Sequence, residues 1–148
     1  AKYFAGSWVP EYARNYLKKL DKDYTFDDIT AIAKGQAKSE DKIVDTELLF
    51  CDTEMLVCKI WQEFKYGKAD TCIDNSFHEI NYELFLLCDI DLPWVEDPMR
   101  EHPHLRSELF YLYKNALDDA EKNYVIISGR GEERLKNAVI AVEKLLNV

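Results

Sequence analysis

No stretch of the chain approaches the roughly 20 consecutive apolar residues that a membrane-spanning helix needs, and the N-terminus carries no signal-peptide pattern. The expectation is a soluble, intracellular protein of the cytoplasm with no membrane partner. Positive charge is scarce as well: 19 Lys and Arg face 28 Asp and Glu, for a formal net charge of -9. That balance argues against nucleic acid as a partner, because affinity for a phosphate backbone comes from Lys and Arg neutralising it. A nucleotide ligand is not excluded, since it needs only a few local cations. The four cysteines, Cys51, Cys58, Cys72 and Cys88, show no CxxC or other zinc-ligand spacing. Cys51 and Cys88 lie inside strand-like apolar runs, so the thiols read as reduced core residues, with a disulfide pair as the weaker alternative. Repeats, low-complexity stretches and interdomain linkers are also missing.

What the chain does have is enough apolar material for a packed core. Its 148 residues, 47% of them hydrophobic, are the size of one domain covering 1–148. Three short apolar runs, Leu48–Cys51, Leu84–Cys88 and Tyr124–Ile127, are separated by long segments with helical spacing. Strands alternating with helices imply right-handed crossovers and a parallel sheet, so the class is α/β. Trp8-Val9 adds a very short strand ended by Pro10, which suits the first turn of a helix running through Leu17. Thr25 with Asp28 has the form of a capping box, opening a helix with Phe26, Ile29, Ile32, Ala33 and, further on, Ile43 and Val44. Thr53 is placed to cap a helix carrying Met55, Leu56, Ile60 and Trp61. Ser107 is placed to start another, with Leu109, Phe110, Tyr113, Ala116 and Leu117 inward. The last helix runs from about Gly131, with Leu135, Ala138, Val142 and Leu145 as its buried stripe.

The residues that could carry chemistry cluster where apolar runs turn polar. Leu84–Cys88 reads as a strand buried on both faces, and Asp89 and Asp91 sit just past its C-terminal end, where parallel α/β sheets bind ligands. Asp52 ends the Leu48–Cys51 run in an arrangement that suits a carboxylate holding Mg²⁺; a cap for the following helix is the competing role. Glu11, after the Trp8-Val9 strand, is a candidate general base, or simply a favourable charge in a first helical turn. Arg14 lies three residues on, at a spacing common for surface ion pairs of little consequence. Arg100 and Arg106 bracket EHPHL in a polar segment, 92–107, that reads either as a solvated loop or as a lid. His102 and His104, separated by Pro103 and without other clustered ligands, do not make a metal site. Trp8 and Trp94 could stack on a flat ring or fill the core. Ser128, Gly129 and Arg130, with Gly131, follow the last strand, where the glycines can serve a turn.

Four blocks carry a family resemblance: WVPEYARNYL (Trp8–Leu17), LLFCDTEMLVCKIWQEFKYGK (Leu48–Lys68), ELFLLCDIDLPWVEDPMREHPHLR (Glu83–Arg106) and YVIISG (Tyr124–Gly129). Together they resemble the ribosylnicotinamide kinase domain of the NadR family of bacterial NAD metabolism, over nearly the whole chain. The resemblance implies a three-layer, P-loop nucleoside-kinase-like α/β domain that uses ATP and Mg²⁺ to phosphorylate the 5′-hydroxyl of nicotinamide riboside. It implies Glu11 as base or ribose anchor and Asp52 as the Walker B carboxylate on Mg²⁺. Arg14, Asp89, Asp91 and Trp94 would face the nucleoside, Arg100 and Arg106 the phosphates from a lid, and Ser128, Gly129 and Arg130 the adenine. The family's phosphate-binding loop, GxxxxGK[ST], occurs nowhere in the chain. AKYFAG at the start matches the tail of the helix that follows this loop in the family, so the first strand and the loop are expected to precede residue 1. The alternatives are a related P-loop ATPase or kinase of another substrate, and a non-catalytic nucleotide-binding module.

Overall fold

The computed structural model describes residues 1–97 and 102–147. The chain divides into two compact units, Ala1–Ile80 and Asn81–Val148, each described by itself.

In the first unit a short 3₁₀ turn (Lys2–Phe4) leads into strand β1 (Ser7–Val9), helix α1 (Tyr12–Leu17), helix α2 (Phe26–Glu40), strand β2 (Leu49–Cys51), helix α3 (Met55–Tyr66) and helix α4 (Thr71–Glu79). Strands β1 and β2 pair in parallel, with Trp8 opposite Phe50 and Val9 opposite Cys51. The ladder continues at both ends, through Ser7 N–H to Leu48 O (2.8 Å) and Asp52 N–H to Val9 O (2.9 Å). A parallel pair needs a crossover, and α1 and α2 supply it. Ile29, Ile32 and Ala33 of α2 bury against a core that also holds Met55, Leu56, Cys58 and Ile60 of α3 and Ile73 and Phe77 of α4.

The Thr25–Asp28 capping box forms as expected: Asp28 N–H donates to Thr25 Oγ1 (3.3 Å) and Thr25 N–H to Asp28 Oδ2 (2.8 Å). The Thr25 hydroxyl, the Tyr16 hydroxyl and the Thr25 amide together lower the Asp28 pKa from 3.8 to about 2. A carboxyl whose folded pKa is depressed stabilises the fold above its unfolded pKa, and that contribution vanishes as pH falls through the folded value. The melting-temperature difference between wild type and Asp28→Asn should therefore be full above about pH 5 and close between about pH 4 and 2. A difference that persists at pH 2, or is absent at pH 6, would contradict it.

Helix α2 ends at Glu40, so Ile43 and Val44 lie outside it; Ile43 N–H bonds Glu40 O in a turn and Val44 is 77% exposed. Thr53 does not cap α3. It holds a left-handed backbone (φ 68°), and Glu54 is the cap, its carboxylate accepting from Leu56 N–H at 2.8 Å. Helix α4 was not expected. Asp70 caps it by accepting from Cys72 N–H (2.8 Å), and Ile73 and Phe77, four apart, form its buried face.

The second unit contains strand β3 (Phe85–Cys88), helix α5 (Arg106–Asp119), strand β4 (Tyr124–Ile127) and helix α6 (Glu132–Leu146). Strands β3 and β4 are parallel, Phe85 opposite Tyr124 and Cys88 opposite Ile127. Each unit thus carries a two-stranded parallel sheet joined through helix, the α/β pattern the sequence implies. Strand β3 is not buried on both faces: Phe85 is buried, Leu86 and Leu87 are half-buried and Cys88 is exposed, as befits a strand paired with only one neighbour among the described residues. Helix α5 starts at Arg106, one residue before Ser107, and Leu117 is its one fully buried residue. The stripe of α6 is rotated from the expected one: Val139, Ala141 and Val142 are buried, and Leu135 is 61% exposed. Of the cysteines only Cys58 is core, while Cys72 and Cys88 are exposed; all four are free thiols. Burial, helped by the Glu54 charge, pushes the Cys58 thiol up to about 12, which makes it inert. No described helix is long and apolar enough to cross a membrane.

Candidate functional site

Glu11, Arg14 and Asp52 all belong to the first unit, and the β1–β2 register explains how they come to one end of it. In a parallel pair both strands finish on the same side. Val9 ends β1, and its carbonyl accepts from the amide of Asp52, the residue that follows β2. Glu11 leaves that same carboxyl end two residues after Val9. Pro10 separates it from the strand, and it occupies the position before α1. A carboxylate there would ordinarily cap the helix. Glu11 makes no cap bond; its Oε2 instead accepts from Arg14 Nε at 3.1 Å, in a half-exposed pair.

Asp52 is exposed at the tip of β2, and its carboxylate bonds no other described residue. Because Glu54 has taken the cap of α3, the competing role for Asp52 falls away. The turn that separates them is strained. A β-branched residue at φ 68° is a rare conformation, costing about 1–2 kcal/mol. Among the described residues no three His, Cys, Asp or Glu side chains converge to cage a metal. A single carboxylate still fits Mg²⁺, which keeps waters and takes most of its ligands from phosphates.

In the second unit the loops after β3 and β4 are tied together. Asp91 Oδ2 accepts from Gly129 N–H at 2.6 Å, and Asp91 Oδ1 pairs with Arg134. Arg134 also donates to Gly129 O (2.9 Å) and Asp89 O (3.1 Å), and Arg130 reaches Asp91 O (3.4 Å). The Gly129 amide, with help from Arg134, lowers the Asp91 pKa. Asp89 turns its Oδ1 onto the Ile90 amide (2.7 Å), Asn137 donates to Ser128 O (3.0 Å), and Arg106 donates to Ile90 O (2.9 Å). Asp89, Asp91, Ser128, Gly129, Arg130 and Arg106 are therefore gathered at the carboxyl end of β3–β4. Trp94 is half-buried in the irregular segment that follows, whereas Trp8 is 56% exposed on β1. Arg100 lies outside the described residues, and with it the middle of the 92–107 segment.

Arg134 was not among the residues singled out from sequence, although a signal exists. A cation in the first turn of a helix opposes the macrodipole unless an anion holds it, and Asp91 is that anion.

A family model described as an AAA domain matches residues 1–134. The chain belongs to the AAA domain family. This makes it a nucleotide-binding domain of P-loop type, a group that generally binds ATP with Mg²⁺. No curated protein matches the chain. In this AAA domain the carboxyl ends of β1–β2 and of β3–β4 are the expected ligand-facing ends of parallel strands, and Glu11, Arg14, Asp52, Asp89, Asp91, Arg106, Ser128, Gly129 and Arg130 each sit at, or are bonded to, one of them, whereas Trp8 and Trp94 do not.

Proposed function

We propose that this AAA domain serves ATP-dependent phosphorylation of the 5′-hydroxyl of nicotinamide riboside, giving nicotinamide mononucleotide. The observation that carries the reading is the pairing, at one end of β1–β2, of a carboxylate relieved of capping (Asp52) with a carboxylate oriented by a guanidinium (Glu11 by Arg14). Bound ATP and Mg²⁺ supply the phosphoryl group and neutralise its charge. Of the chain's own residues, Asp52 would hold the metal and Glu11 would accept the proton of the attacking hydroxyl. Arg14 keeps Glu11 aimed. Arg100 and Arg106 would face phosphate oxygens from the lid, and the tied loop Ser128–Gly129–Arg130 would border the adenine. The flat face of Trp94 would favour a cationic pyridinium ring.

Calorimetric binding to the full protein is the test. Nicotinamide riboside should bind at least about tenfold tighter than uridine or adenosine, a difference of about 1.4 kcal/mol, within the range of one partly desolvated cation–π contact. Trp94→Ala should remove most of that preference. Equal affinity for neutral nucleosides would instead favour a P-loop enzyme of another substrate.

A further inference from the structure

Helix α1 has six residues, too few to be stable alone, yet it carries Arg14 and begins immediately after Glu11. What holds it is α2. Gln36, 1% exposed, accepts the Tyr12 N–H on its Oε1 at 3.0 Å and donates from Nε2 to Glu40 at 3.1 Å. The Tyr12 amide is the first of the N–H groups that a helix start leaves without an internal partner. Gln36 meets it from a neighbouring helix, and the Glu11 carboxylate points to Arg14. One residue earlier, the Tyr12 ring lies directly over Gly35: a Cβ there would stand 2.2 Å from Cε1 and 2.3 Å from Cζ of the ring. One turn further along α1, the Tyr16 hydroxyl donates to Asp28 Oδ1 at 2.7 Å.

We propose that Gln36 and Gly35 are positioning residues for the Glu11–Arg14 pair, setting where the start of α1 and its carboxylate sit. The proposal rests on the reading of Glu11 as the group that meets the substrate hydroxyl. Displacements of about 1 Å in such groups cost on the order of 10²-fold in rate. A buried amide that satisfies a backbone N–H fixes position more tightly than packing alone, because leaving that N–H unmet is costly.

The test uses Gln36→Met, which keeps the shape and removes the acceptor, and Gly35→Ala, which displaces the Tyr12 ring. The double variant Gln36→Glu with Glu40→Gln keeps an acceptor for the Tyr12 N–H and restores the 36–40 hydrogen bond with its donor and acceptor exchanged. In the full protein, Gln36→Met should lower riboside kcat about tenfold to a hundredfold with KM changed less than about threefold, and the double variant should recover most of the loss. The NMR resonance of the Arg14 Nε–H should move toward that of a free arginine in Gln36→Met and return in the double variant. If the wild type phosphorylates no riboside, the proposed function falls and the Arg14 resonance alone decides the positioning role. If Gln36→Met does not fold, Gly35→Ala is read by the same measures. An unmoved resonance with kcat within twofold of wild type overturns the proposal.

Discussion

Asp52→Asn is expected to lower turnover by on the order of 10³-fold, about 4 kcal/mol of transition-state stabilisation, while the protein stays folded. Asn keeps the size of the side chain and removes the charge on which a hard cation depends. The fold should tolerate it. The Asp52 side chain is exposed and bonds no described residue, and its contribution to the β1–β2 ladder is a backbone amide that Asn retains. A stability change within about 0.5 kcal/mol follows, the usual figure for a surface substitution away from special features. Steady-state kinetics beside a urea melt separate the two effects. Near-normal turnover would return Asp52 to a plain strand-end residue. A large stability loss would mean that its carboxylate supports the strained turn at Thr53.

Glu11→Gln is the second large effect. A positioned general base contributes about 10²- to 10⁴-fold, so kcat and kcat/KM should fall together by that factor, because the lost interaction belongs to the transition state. Gln can still accept from Arg14 Nε, which keeps the local arrangement while removing basicity. If Glu11 served only as a favourable charge near the start of α1, the loss would appear in stability, at about 0.3–1 kcal/mol, and rates would hold. A rise in KM with unchanged kcat would make it a ribose anchor in place of a base.

The strands and their parallel sense were legible because short apolar runs bounded by polar residues have few other readings, and Tyr124–Ile127 matches β4 residue for residue. So was the Thr25–Asp28 box, which is a local chemical pattern. Local patterns failed where tertiary structure chose among equals. Around residues 138–142 of α6 the sequence Ala-Val-Ile-Ala-Val is apolar on every side, so periodicity could not say which face turns inward. Thr53 looked like a cap because Thr is a good one; a β-branched residue in a left-handed conformation is not foreseeable from propensity. Helix α4 was missed although Asp70, Ile73 and Phe77 carry its signal, because the turn at Gly67 obscured the restart. Gln36 was invisible for a different reason. A glutamine in a helix reads as solvent-facing, and only its partner on α1 shows otherwise. The Glu11–Arg14 spacing was readable; that Glu11 and Asp52 both follow strands ending on the same side needed the register of β1 on β2.

Transfer of the terminal phosphate of ATP to a panel of ribosides bears most directly on the proposed function. With Mg²⁺ present, the full protein should phosphorylate nicotinamide riboside well ahead of uridine, adenosine and thymidine, by at least about tenfold in kcat/KM, and Asp52→Asn should cut product formation by on the order of 10³-fold. Equal rates on the neutral nucleosides, or ATP hydrolysis indifferent to every riboside, would contradict it.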